Sequence, residues 1–195
     1  MATICKEKYR VIDYIIPLFN INAYSGFSNQ PDGDTVEVVS NSASDTGKCT
    51  IFGTVKTTGV FKYETVTLTG TVAVTTTEDD WDDIYGVFLG DIYGKNTKAA
   101  VGTITFREGS TNQAITTVSA GELGIGMQVF YGLQGQDVTV INVSGNLYLY
   151  DNGLASTANG YPFASAEKFN FIPAGSYFSL ISDASAATAK IVVWK

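Results

Sequence analysis

The sequence predicts an all-β fold, an antiparallel β-sandwich preceded by an extended N-terminal arm, and three observations carry that expectation. Short runs rich in Val, Ile, Thr, Tyr and Phe recur from position 35 to the end, separated by Gly, Asn, Asp and Ser. No stretch keeps apolar residues at i, i+3, i+4 and i+7 for three turns, as an amphipathic helix would. Proline occurs 4 times against 20 glycines, which suits many strands joined by glycine turns.

A chain of 195 residues fits one all-β domain. At that size folding buries about 70% of the unfolded surface, enough for a core without disulfides or metal. The expected division is an arm over 1–33 and a single sandwich domain over 34–195. The arm mixes Lys6, Glu7, Lys8, Arg10 and Asp13 with the apolar residues Ile12, Tyr14, Ile15, Ile16, Leu18 and Phe19. Pro17 limits any helix there to a turn or two, and 25-SGFSNQPDGD-34 is a turn-rich connector. Two fates are open to the arm: capping the sandwich of its own chain, or docking on a neighbouring subunit.

The strands follow in order. TVEVVS (35–40) alternates, and CTIFGTV (49–55) comes after the polar turn 41–48. In 63-YETVTLTGTVAVTTT-77 the even positions Val66, Leu68, Val72 and Val74 form an apolar set and the odd positions carry threonine. If the two halves pair directly, the register asks for a three-residue loop ending at Gly70 in the left-handed region. IYGVFL (84–89), AVGTITF (100–106), QAITTV (113–118) and MQVFY (127–131) continue the series. VTVINV (138–143) and LYLY (147–150) flank Ser144-Gly145-Asn146, a hairpin turn signal. FNFI (169–172), SYFSLI (176–181) and KIVVW (190–194) close it, after a long polar loop over 151–168. The glycine cluster 121-GELGIG-126 is expected as a turn with two flexible points.

Charge and chemistry exclude several functions. Nineteen acids against twelve bases give a net charge of −7, and no Lys/Arg cluster offers a phosphate-binding surface, so nucleic-acid binding is not expected. The start MATICKEKYR has no apolar stretch of signal-peptide type, and the run 14-YIIPLF-19 is too short to span a bilayer. Cys5 and Cys49 are the two cysteines and are expected as free thiols. With no histidine in the chain, Ser-His-Asp and Cys-His arrangements and His-ligated zinc are ruled out. No nucleophile elbow, Walker loop or dinucleotide fingerprint occurs. The expectation is therefore no enzyme, no catalytic residues and no cofactor.

One ionisable cluster stands out, 78-EDDWDDIYG-86. It can be a solvated loop. It can be a calcium site through Asp79, Asp80, Asp82 and Asp83, although the EF-hand spacing is missing. As a glycosidase acid pair it has the least support. Trp81 within it suits a core anchor or a stacking platform, and the anchor is the preferred reading because it buries more apolar area. Tyr148, Tyr150 and Tyr161 form an aromatic group beside the polar loop, suited to an interface or to plain sheet surface.

Four segments carry a likeness: 37-EVVSNSASDTG-47, 51-IFGTV-55, 64-ETVTLTGTVAVTTT-77 and 101-VGTITFREGSTNQAI-115. They resemble a family of small β-rich structural proteins of tailed bacteriophages, and 120-AGELGIGMQVFY-131 is similar to a further segment of that family. The likeness covers about residues 35–150 and departs from the family pattern after 131, where Leu133-Gln134-Gly135 stands. It implies a jelly-roll-like sandwich and a non-enzymatic virion component made in the host cytoplasm. The role implied is a capsid decoration or cement protein that binds and braces the head shell. The implied partners are the major capsid protein and neighbouring copies of the same chain as a homo-oligomer, with no nucleic acid and no membrane. The residues expected to make partner contact are Tyr14, Ile15, Ile16, Leu18 and Phe19, because a detached apolar segment must be buried against something. The alternative is a tail- or fibre-associated receptor or carbohydrate-binding domain using the polar loop, Trp81 and calcium.

Overall fold

A computed structural model describes residues 12–21, 27–92, 96–131, 135–151, 153, 155, 158–175, 177–182 and 187–194, with 12–21 described as backbone. These residues form strands and turns and no helix. The strands are β1 (Ile12–Ile21), β2 (Val36–Ser40), β3 (Lys48–Val55), β4 (Phe61–Thr67) and β5 (Val74–Thr75). Then come β6 (Trp81–Phe88), β7 (Ile104–Glu108), β8 (Ala114–Val118), β9 (Gly124–Gly126) and β10 (Gln128–Tyr131). The series ends with β11 (Asp137–Ser144), β12 (Leu147–Asp151), β13 (Tyr161–Phe163), β14 (Lys168–Phe171), β15 (Tyr177–Ser182) and β16 (Ala187–Trp194).

Two antiparallel sheets, β5-β2-β7-β8 and β4-β3-β6-β9, use only β2 to β9. The other two, β1-β16-β11-β14 and β10-β15-β12-β13, use β1 together with β10 to β16. Within this second set the pairing is nested: β1 with β16, β10 with β15, β11 with β14 and β12 with β13. Strands β2 to β9 are thus an insertion between the first and second strands of the nested eight.

Each set has a core. In the first, Val36, Val38, Ile104 and Phe106 from β2 and β7 meet Cys49, Ile51, Trp81, Ile84 and Val87 from β3 and β6, all fully buried. The second gathers Val129, Phe130, Val138, Val140, Leu147, Phe178, Leu180, Ile191 and Val193, and it also takes Phe52 of β3 and Phe88 of β6. Neighbouring strand residues point to opposite faces. Ile51 and Phe52, or Val87 and Phe88, therefore cover the two faces of one sheet and feed two different cores. Phe88 meets Phe130 edge to face at 6.1 Å, and Phe61 stacks on Tyr177 at 5.8 Å.

Strand β6 solves a register problem. Trp81, Ile84 and Val87 are spaced by three, so an even pleat would alternate them between faces. The β3–β6 register shifts between Phe52 and Gly53 and again between Gly53 and Val55, each time giving β6 one extra residue. These bulges bring all three side chains to the same core. Where β9 passes into β10, the chain crosses closely over Gly86: a Cβ there would collide with the Met127 carbonyl oxygen and lie 2.8 Å from its carbon. Buried Gln128 ties the crossing down, its Nε2 donating to the carbonyls of Val87 (3.2 Å) and Ile125 (3.3 Å).

Several expectations change here. Residues 12–21 of the expected arm form an edge strand on β16, with Tyr14 opposite Val193 and Phe19 opposite Ala189. The rest of the arm's start, 1–11, lies outside the described residues. Pro17 falls in the irregular stretch of register between Ile16 and Phe19, on an edge strand, the place where a missing N–H is tolerated. The threonine-rich stretch does not form one ladder, because β4 pairs with β3 and β5 with β2. The turn between its halves has two residues, Gly70-Thr71, bridged by Thr69 and Val72, with Gly70 at φ 71° as expected for its handedness. Because the halves belong to facing sheets, Val66, Leu68 and Val74 reach one core without sharing a register, while Val72 is left 66% exposed. Ser144-Gly145-Asn146 is likewise a crossing between sheets and not a hairpin, since β11 and β12 lie in different sheets. The polar loop over 151–168 contains a strand, β13, and residues 124–126 of the glycine cluster form β9. Cys49 is a free, buried thiol whose pKa burial pushes up; Cys5 lies outside the described residues.

Gly86→Ala is expected to destabilise the protein by more than about 3 kcal/mol, because a backbone carbonyl cannot yield as a side chain can. Gly47→Ala, whose Cβ would meet only Lys98 Cβ at 3.9 Å, should stay within about 0.5 kcal/mol of the parent. Urea midpoints of the two variants measure the contrast.

Candidate functional site

Two acids of the run, Glu78 and Asp80, are held by bonds to their side chains. Glu78 pairs with the Lys62 ammonium, which lowers its pKa, and its Oε1 accepts from the Asp80 amide at 3.0 Å. The Asp80 carboxylate accepts from the Thr57 amide at 2.8 Å, and hydrogen bonding to Thr57 lowers its pKa. Glu64 takes the amides of Thr77 and Glu78 at 2.6 and 2.9 Å. These bonds pin the run to strand β4 and to the β3–β4 turn. Asp79 is exposed, and Asp82 and Asp83 sit half-buried in the bulged start of β6. Among the described residues no three acidic or thiol side chains are grouped to hold a metal ion, so Asp79, Asp80, Asp82 and Asp83 are not gathered around a common point.

Trp81 is fully buried and donates from Nε1 to Thr76 Oγ1 at 3.2 Å. The anchor reading holds for it. No ring face remains for stacking on a ligand.

A different carboxylate organises the segments quoted for the resemblance. Asp45, 2% exposed, accepts from Ser40 Oγ at 2.6 Å, from the Val101 amide at 2.8 Å and from the Gly102 amide at 3.0 Å. Its own carbonyl accepts from the Gly70 amide at 2.8 Å, and a Cβ on Gly70 would lie 2.8 Å from Ala43 Cα. Three chain segments far apart in sequence therefore close on one buried residue, two through its carboxylate and one through its carbonyl. Burial, the largest influence, would raise the Asp45 pKa. The Ser40 hydroxyl, the two amides and the nearby Lys98 charge outweigh it, and the net shift is downward.

The aromatic group beside the polar loop opens onto a groove of about 650 Å³ at the rim where β12 and β13 of one sheet meet β14 of the other. Tyr150, Asp151, Asn159, Tyr161, Phe171 and Ile172 are among its walls. Tyr150 and Tyr161 are 39% and 57% exposed. A second hollow of about 400 Å³ is lined by Asn146, Tyr148, Pro162, Ala164 and Glu167, and Pro162 belongs to both. Sequence reasoning found the tyrosines and missed Phe171, Ile172 and Asp151. The signal available was the apolar run FNFI directly after the polar loop, which only the nested pairing brings beside Tyr161. The expected contact residues Tyr14, Ile15, Ile16, Leu18 and Phe19 are placed by backbone alone, along β1 on the far edge of the same sheet as β14.

Asp45→Asn should cost about 3 kcal/mol, since it weakens three hydrogen bonds to a buried charge. A folded-state pKa below the ordinary 3.8 means that the carboxylate's contribution is full above that value and is lost as pH falls through the folded pKa. The stability gap between parent and variant, followed by denaturant titration from pH 7 to 2, should therefore be constant down to about pH 4 and then close. No protein-family model matches the chain, and no curated protein matches it.

Proposed function

We propose that this chain is a non-enzymatic structural component of a tailed-phage virion, a capsid decoration protein that binds and braces the head shell. The structural observation that supports the reading is the nested strand order. Numbered within their own set, the eight strands run 1-8-3-6 in one sheet and 2-7-4-5 in the other, which is the order obtained by rolling up a long antiparallel hairpin. We read it as a jelly roll, an architecture used in viral capsid and lectin domains, with β2 to β9 as a second sandwich inserted after its first strand. The resemblance in residues 35–150 supports the virion assignment, and fold alone would not carry it.

Contact with the shell runs along β1 in this reading. β1 is an edge strand, and an edge presents unpaired backbone groups that a partner strand can complete. Tyr14, Ile15, Ile16, Leu18 and Phe19 then act as an edge of the sheet and not as a free arm. Surface burial and added strand pairing do the work, and no group has to react. A tail- or fibre-associated carbohydrate-binding role is the second reading, favoured by the aromatic groove.

An image reconstruction of particles incubated with the purified protein should carry density for this chain on the head shell. Ile15→Lys combined with Phe19→Lys should keep the β-rich circular dichroism spectrum while weakening particle binding at least about tenfold, the effect of roughly 1.4 kcal/mol. Density on the tail alone, or undiminished binding by the folded double variant, counts against the assignment.

A further inference from the structure

We propose that the rim formed by β12, β13 and β14 is a binding site for a neutral oligosaccharide chain. The inference does not depend on where the protein sits on a particle. Its first support is the way the rings are held. Tyr161 packs on Phe169 with centroids 4.8 Å apart, Phe169 on Phe171 at 5.5 Å, and Phe171 stands edge-on to fully buried Phe178 at 5.1 Å. This series of rings runs from the core to the surface and fixes the outermost one. With one side of Tyr161 occupied by Phe169, its 57% exposure leaves the rest of the ring to solvent. Tyr150 is backed by Gly153, where any Cβ would collide with the tyrosine ring. Rings already immobile bind a ligand without the entropy cost of ordering them.

The second support is the charge and hydrogen-bonding character of the walls. Among the described residues, those lining the groove and the hollow include Asp151 and Glu167 and no Lys or Arg. Anionic ligands are therefore disfavoured, the more so on a chain of net charge −7. Each carboxylate has one oxygen fixed by a backbone amide: Asp151 Oδ2 by Ala174 at 2.8 Å and Glu167 Oε2 by Ala164 at 2.6 Å. Of the two, Glu167 is the oriented acceptor open to a ligand, because Asp151 Oδ1 is buried. A pyranose ring offers an apolar C–H face to an aromatic ring and a rim of hydroxyl donors to such an acceptor. The volumes, about 650 and 400 Å³, are those of small-ligand sites. Because Pro162 borders both, a chain of several sugar units can run from one into the other. A quaternary ammonium group, the main competitor for tyrosines near a carboxylate, gains most from rings that enclose and desolvate it, whereas Tyr161 stays largely in water.

The test is affinity electrophoresis of the full chain through native gels cast with dextran, levan or galactomannan as neutral probes and alginate as the anionic one. At least one neutral polymer should retard the protein, with the retardation unchanged by about 0.5 M NaCl, which shortens the Debye length to about 4 Å and screens charge attraction, and alginate should not. Tyr161→Ala and Gly153→Ala should each reduce retardation at least about fivefold, while Tyr161→Phe, which keeps the ring, should retain it. Retardation by none of the neutral polymers overturns the proposal. So does retardation that survives both Tyr161→Ala and Gly153→Ala.

Discussion

The structure depends on one sheet being apolar on both faces. β3 and β6, at the centre of β4-β3-β6-β9, send Cys49, Ile51, Trp81, Ile84 and Val87 into one core and Phe52 and Phe88 into the other. A sheet with one wet face would need only alternating apolar residues. This one needs almost continuous apolar runs, which is why CTIF and GVF lack the polar alternation seen in TVEVVS. The same demand explains the tight packing around Gly86, Gly124 and Gly126, where the chain leaves the first set of strands for the second. Side chains there would push the two cores apart.

The second dependence is on long-range closure. β1 and β16 stand at opposite ends of the chain, and their pairing encloses everything else. Loop-closure entropy rises only slowly with length, so an insertion as large as β2 to β9 is thermodynamically tolerable. It is easier still because the insert closes its own ends, with the Ser28 amide on the Ile115 carbonyl and Asp45 joining three of its turns. The groove at the opposite rim is a by-product of the same nesting. β13 and β14 end their respective sheets, and the gap between two such edges is where Tyr161 and Phe171 come together.

Local chemistry was legible in the sequence and pairing was not. β2, β3, β8, β10 and β16 lie close to their apolar runs, and Gly70 has the positive φ that its place in a threonine-rich stretch asks for. Trp81 was identifiable as an anchor from its size alone. The start of β6 was hidden by its bulges, since buried residues spaced by three do not look like a strand and the surrounding acids look like a loop. The turns at Gly70 and Gly145 carried correct turn chemistry but joined different sheets, and no rule of turn residues distinguishes a hairpin from a crossing. Ile12–Ile21 resembled an arm because its partner is the last strand of the chain. The acid that joins distant turns, Asp45, sits in a serine-rich turn, while the conspicuous cluster at 78–83 is fastened to β4 and the β3–β4 turn.

The shared sheet makes the two cores one cooperative unit. Site-resolved amide hydrogen exchange on the full chain carrying Phe88→Ala tests it most directly. Removing that ring from the second core should cost about 3–5 kcal/mol, and slowly exchanging amides of β2 and β7 should lose as much protection as those of β11 and β16. Loss confined to β10–β16, with β2 and β7 as protected as in the parent, would contradict it.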